Sequence, residues 1–308
     1  MIVYESNKNW LRDVGHLYKS WTMQRVLRGT GFVALATAIV CFLHKDVFDW
    51  GGNGLDVTIF SLLGVVLSIL LSFRTNSAYD RWWEGRRKWG ELVNNSRNLA
   101  VYVHSAFPAG DEESRRYLAI RIANFALALK EHLRGGAKVD ELVLLTPEDA
   151  EKYNGKSHIP NYIAYEIAQR IQNVYNAGHI GMADHMNIKA HSQELLNISG
   201  SCERIKKTPI PFSYNVYIKL FITVYTLGLP FALIPLFGYL SIVLVAFVFF
   251  AFYGLELMAE EIEDPFGLDC NDLPTGDIAH TIKANVFELL EVRKYEKEIP
   301  KEMYSKVF

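Results

Sequence analysis

Cysteine is scarce in this chain: Cys41, Cys202 and Cys270 are its three, scattered and without CxxC spacing. That pattern indicates neither a disulfide framework nor a zinc site. Sustained apolar–polar alternation bounded by turn signals is also missing, so strands are not expected and helix is the element left to build with. No GxSxG, P-loop, GxGxxG or HExxH motif occurs, nor any nucleophile–base pairing, and the chain does not read as an enzyme. His179, His185 and His191 are spaced by six, which puts them on different helix faces. The net charge of −2 leaves basic residues matched by acids and gives no case for a nucleic-acid partner. The opening MIVYESNKNWLRDVGH carries Glu and Asp where a signal peptide would have basic and then apolar residues, so no cleavable targeting segment is expected. The most telling absence lies between Lys219 and Glu256, where 36 consecutive residues carry no acidic or basic side chain.

At about 1.5 Å per helical residue, that run is roughly 54 Å long, enough for two crossings of a bilayer core. Pro235-Leu-Phe-Gly238-Tyr near its middle supplies the helix breakers of a tight hairpin. Two shorter apolar segments come earlier, at 29–43 and 57–73, separated by the polar, Gly-rich HKDVFDWGGNGLD. Four membrane helices follow. Half of the 308 residues are apolar, yet 21% are charged, which implies a sizeable aqueous part beside the membrane part. Arg12, Lys19, Arg25 and Arg28 precede the first span; Arg74, Arg81, Arg86, Arg87 and Lys88 follow the second; Lys206, Lys207 and Lys219 precede the third. The loop between the first two spans offers only Lys45 against Asp46, Asp49 and Asp56. The positive-inside rule therefore puts both termini and the middle domain in the cytoplasm, and the location expected is the cell's inner (plasma) membrane.

The organisation expected is a cytosolic N-terminal segment (1–28), two membrane helices (29–74), a cytosolic helical domain (75–211), two more membrane helices (212–258) and a cytosolic C-terminal segment (259–308). Apolar residues at three- and four-residue spacing predict helices over 82–107, 114–136, 159–180 and 186–207. Residues 140–160 read as a surface connection, and the tail after 291 as a charged, solvent-facing end. The fold class is all-α, an integral membrane protein with a helical cytosolic domain. Trp82, Trp83 and Trp89 suit either interfacial anchoring or packing.

On the second span, Val65, Ile69 and Phe73 fall at i, i+4 and i+8 and form one stripe. Gly64, Ser68 and Ser72 form a small-residue stripe beside it, of the kind that lets helices approach closely in lipid. A ring of such helices, small face to neighbour and bulky face to axis, would make a hydrophobic constriction that gates by dewetting. The pattern alone also allows the bulky stripe to face lipid, as most apolar stripes do.

The segment from Phe73 through Arg81-Trp82-Trp83 to Trp89, with Cys202-Glu-Arg-Ile-Lys-Lys-Thr-Pro209-Ile-Pro211 and Glu260-Glu-Ile-Glu-Asp264-Pro265-Phe266-Gly267, resembles the bestrophin family, in its bacterial branch. The resemblance implies a homopentameric ion channel with a central pore, a narrow apolar neck in the membrane and a second constriction in the cytosolic part. The family's neck triplet falls on Val65, Ile69 and Phe73, and the second constriction near Met186. It further implies conduction of small inorganic ions across a lipid bilayer, with chloride first and a monovalent cation as the alternative. A secondary transporter or a membrane-tethered sensor is the less favoured class, since the spans show no buried acids or bases of the transporter kind.

Calcium-gated members of the family carry a dense acidic loop after the last span, and its match here gives Glu261, Asp264, Asp269 and Asp272. Carboxylates at this density can ligate a hard cation such as Ca²⁺. Cys270 and Asn271 interrupt the run, and Asp264 stands where those relatives have Asn. The other reading is an acidic helix end answering the basic residues of 74–88. No cofactor is required for conduction in either case.

Overall fold

The computed structural model describes residues 21–47, 54–136, 138–269 and 271–292. Among them all regular structure is helical: α1 (Trp21–Phe42), α2 (Val57–Ala106), α3 (Glu112–Leu133), α4 (Pro147–Asn154), α5 (Ile159–Asn176), α6 (Met182–Lys207), α7 (Phe212–Phe237), α8 (Leu240–Glu263) and α9 (Thr275–Leu289). The N-terminal Arg12 and Lys19, the loop residue Asp49, Cys270 and the charged tail lie outside the described residues.

Four helices are long and apolar enough to cross a membrane, and they are the four expected from hydropathy. The second differs in extent. Instead of ending near residue 74, α2 runs 50 residues without a break. The physical reason is in the sequence: no proline interrupts 57–107, and the first, Pro108, stands just past the helix end.

The chain divides into two compact units. Among the described residues, one comprises those from Trp21 to Arg81 together with Pro209–Asp264, and so contains the apolar helices. Its core is built by Phe60, Leu67 and Leu71 of α2, Ile218, Ile222, Tyr225 and Leu229 of α7, and Val245 of α8. The hairpin between α7 and α8 turns at Gly238, in the left-handed region at φ 57°, where a Cβ is disfavoured. Pro235, expected to break the helix, lies inside it. Its ring nitrogen has no hydrogen for the carbonyl of Phe231 four residues back, and the Leu55 N–H bonds that carbonyl instead at 3.3 Å. Gly54 makes room for this contact, since a Cβ there would stand 2.6 Å from the Pro235 ring. The proline thus anchors the entry to α2 rather than ending α7.

The other unit comprises, among the described residues, Trp82–Thr208 and those from Pro265 to Val292. Its central helix is α3, buried on nearly every face from Leu118 to Leu129, as a helix enclosed by others must be. Trp89 is fully buried in this core, whereas Trp83 is about half exposed, so the tryptophans divide between packing and surface. Residues 140–160 are not a plain connection. Thr146 caps α4 by accepting from the Asp149 N–H, Pro147 sits at the first helical position, and Glu148 and Asp149 complement the helix dipole. These start signals nucleate a short helix that buries Tyr153 completely. Beside it, Arg121 is held by Asp149 and Glu166, each at 2.8 Å, and Tyr153 donates to Glu166. Burial, reinforced by the Glu166 hydrogen bond, pushes the Tyr153 phenol up. Burial opposes ionisation of Asp149, but its hydrogen bond and charge pairing with Arg121 hold the carboxyl below the usual range.

Candidate ion pathway

The two faces of α2 within its apolar half have opposite fates. Leu67, Leu71, Arg74 and Ala78, at helical spacing, are buried against their own unit. Val65, Ile69 and Phe73 point the other way and are 59, 52 and 62% exposed. A single chain therefore leaves the whole stripe uncovered. The small-residue stripe behaves in part as expected. Ser68 and Ser72 are exposed, and Ser68 returns its hydroxyl to the Gly64 carbonyl at 2.8 Å. Gly64, by contrast, faces its own chain, where the Tyr225 hydroxyl would lie 2.9 Å from a Cβ. The glycine is needed because Tyr225 donates to the Phe60 carbonyl on the preceding turn of α2. Gly64 therefore packs the monomer rather than a neighbouring copy.

Directly after Phe73, a buried ion network fixes the C-terminal end of the stripe. Arg74 Nη2 donates to Glu263 at 2.7 Å, and Arg74 Nε lies 3.7 Å from Glu256. The second Glu263 oxygen accepts from the Ile210 N–H at 2.7 Å, and Arg81 Nε donates to the Glu263 carbonyl at 3.0 Å. Tyr214 adds a bond to the Leu70 carbonyl at 3.0 Å. This cluster corrects the expectation that the span helices bury no charge. Arg74, Glu256 and Glu263 are buried, near the ends of α2's apolar stretch and of α8. A midspan charge pair would mark a transporter, whereas this one ties the ends of three elements together. Sequence periodicity cannot find it, because its members are some 190 positions apart.

In the second unit, Met186 lies one turn into α6 and is 54% exposed. Met182, on the same stripe, is exposed as well and was not singled out by sequence. His185 between them is buried and stacks on Tyr175 with ring centroids 4.4 Å apart.

The acidic residues are structurally engaged. In the first unit, Glu261 accepts from the Thr22 hydroxyl at 2.6 Å, and Asp264 follows the last turn of α8. In the second, the buried Asp272 accepts from the Asp269 N–H at 2.7 Å, closing a turn. These bonds give Glu261 and Asp272 partners without an ion. Among the described residues, the three-donor group whose atoms lie within 4.8 Å of one another is His132, His158 and Glu203, which includes none of the four acids.

The family model for bacterial and fungal bestrophins matches residues 1–288. A voltage-dependent anion channel-forming protein of Synechocystis is 35% identical over 285 residues, covering 88% of this chain and 92% of its own. One from Escherichia coli K12 is 30% identical over 305 residues, covering 97% and 96%. A crystal structure of a bacterial bestrophin homolog from Klebsiella pneumoniae superposes with a TM-score of 0.81 at 28% identity, over 86% of this chain and 98% of the homolog. The chain belongs to the bestrophin family. Solved bestrophins are pentamers, and the family and its curated relatives are ion channels rather than enzymes. This bestrophin shares their all-α fold with four candidate membrane helices.

Proposed function

We propose that five copies of this bestrophin enclose a passive anion channel whose membrane neck is made by Val65, Ile69 and Phe73. The observation that carries the reading is the uncovered stripe: three large apolar side chains exposed on the face opposite the one packed into the chain's own core. Five such faces around an axis make a narrow apolar ring that passes ions when wetted and blocks them when dry. Met186 forms a second constriction in the aqueous part. The outward apolar residues of α1 and α8, such as Phe32, Leu35, Val243 and Phe247, face lipid. The membrane is the inner one, the place for a bacterial channel of this family, and both termini are cytoplasmic because Arg and Lys cluster before the first and third spans and after the second.

Anion selectivity is supported by the relatives, which are named as voltage-dependent anion channel-forming proteins. An apolar neck selects neither sign, so the entrances set the preference. One observation favours the cation reading. Asp56 is fully exposed just before α2, where its carboxylate accepts from the Thr58 N–H, and that hydrogen bond holds it below the usual carboxylate range. A ring of such carboxylates at the outer mouth would draw cations. No cofactor is required in either reading, and loss of current on calcium removal would contradict that. The neck is tested by replacing Val65, Ile69 and Phe73 together with Ala and recording single channels in planar bilayers. Conductance rises if these side chains line the narrowest apolar stretch; an unchanged conductance would contradict it.

A further inference from the structure

His132, His158 and Glu203 come from three different helices of one compact unit and bring donor atoms within 4.8 Å of one another. His132 is in the last turn of α3, before Gly135 and Gly136 turn the chain with positive φ. His158 is the N-cap of α5, and Glu203 is in the last turns of α6. His158 Nε2 lies 2.7 Å and His132 Nε2 3.6 Å from the same Glu203 oxygen, Oε1. The two imidazole rings stand 4.1 Å apart, centroid to centroid.

We infer that His132 Nε2, His158 Nε2 and Glu203 Oε1 form a binding site for a divalent transition metal of the zinc type in the aqueous helical unit. Two imidazoles and one carboxylate are the donor set of three-protein-ligand zinc sites, with a fourth position left for water. Ligands about 2.1 Å from a tetrahedral ion stand roughly 3.4 Å from one another. The His132–Glu203 separation already has that value to within a few tenths, and the His158–Glu203 pair has to open by less than about 1 Å. The donor set prefers zinc over calcium or magnesium, which take oxygen-only shells of higher coordination number.

Two features oppose the ion. Lys207 Nζ sits 3.3 Å from the other Glu203 oxygen, which restricts the carboxylate to one metal bond and brings a positive charge close. His158 Nδ1 accepts from the Asn161 N–H at 3.2 Å, so its ring proton is on Nε2, directed at Glu203. Metal at Nε2 requires that proton to move to Nδ1, with no net release, and the α5 cap bond is given up. Ser199 Oγ, 3.3 Å from Oε1, is a remaining polar neighbour of the carboxylate.

The test uses the full-length protein in detergent, stripped with chelator and then titrated with ZnCl₂ alone against a chromogenic zinc chelator. One zinc is expected per chain, with affinity at least tenfold weaker in His132→Ala and in Glu203→Gln. Lys207→Met, which removes the competing cation from Glu203 and leaves all three ligands in place, tightens binding. CaCl₂ at the same concentration does not compete. Thermal midpoint without metal and elution volume show whether each variant is folded; zinc raises the midpoint of the wild type but not of the ligand variants. Absence of binding to the wild type, or a stoichiometry and affinity unchanged in folded His132→Ala and Glu203→Gln, would overturn the site. So would Lys207→Met binding more weakly than wild type.

Discussion

Glu263→Gln keeps the shape of a side chain that holds two partners at once and removes only its charge. The carboxylate accepts from Arg74 at 2.7 Å and from the Ile210 N–H at 2.7 Å, with 11% of its side chain exposed. At an effective dielectric near 20, a unit charge pair at that distance attracts by about 6 kcal/mol, much of it offset by the desolvation of both ions. Removing one member of a buried pair leaves the other uncompensated, at about 3–5 kcal/mol. Glu256, 3.7 Å from Arg74, still supplies a partner, which puts the expectation at the lower end, about 3 kcal/mol per chain. At about 2–4 °C per kcal/mol, the thermal midpoint of the detergent-solubilised protein falls by roughly 6–12 °C. Arg74→Met in the same background completes a double-mutant cycle, and the two effects should be far from additive because the groups touch. The assay is size-exclusion fluorescence after heating. A shift under about 2 °C with additive cycle energies would refute the view that this network secures the Phe73 end of the exposed stripe.

The Arg121–Asp149 pair makes the aqueous unit acid-sensitive. Asp149 has a folded-state pKa below its unfolded value of 3.8, so its contribution is complete above that pH and is lost as pH falls through the folded value. Denaturation midpoints measured from pH 6 downward should fall below about pH 4, and Asp149→Asn should flatten that part of the profile at the expense of stability at pH 6. Cys202 is fully buried in the same unit, and burial pushes its thiol up to about 12. In a Cys41→Ala, Cys270→Ala background, a maleimide reagent at neutral pH should label it only after denaturation; native labelling would contradict its burial.

What the sequence displays about this protein is what repeats locally. An uncharged run between Lys219 and Glu256 has no use in a soluble core, so the α7–α8 hairpin is legible from composition. Val65, Ile69 and Phe73 are legible from their four-residue period, and the structure puts them on the uncovered side of α2. Features made by residues far apart are not legible. Nothing in the spacing of Arg74, Glu256 and Glu263, or of His132, His158 and Glu203, signals that they meet. Proline misleads for a related reason: Pro235 looks like a breaker until Leu55, 180 positions earlier in the chain, is seen to bond the carbonyl it frees. Gly64 has the same history, since its partner Tyr225 belongs to a helix far along the chain. The short helix α4 was readable through Thr146, Pro147 and Asp149, whose start signals outweigh the polar, connection-like character of the surrounding stretch.

The most direct test of the account is the reversal potential of the purified protein in planar bilayers under an asymmetric KCl gradient. An anion channel gives a current that reverses toward the chloride equilibrium potential. Reversal toward the potassium potential would replace the anion channel with the cation channel favoured by Asp56, and no current at all would contradict a pore lined by Val65, Ile69 and Phe73.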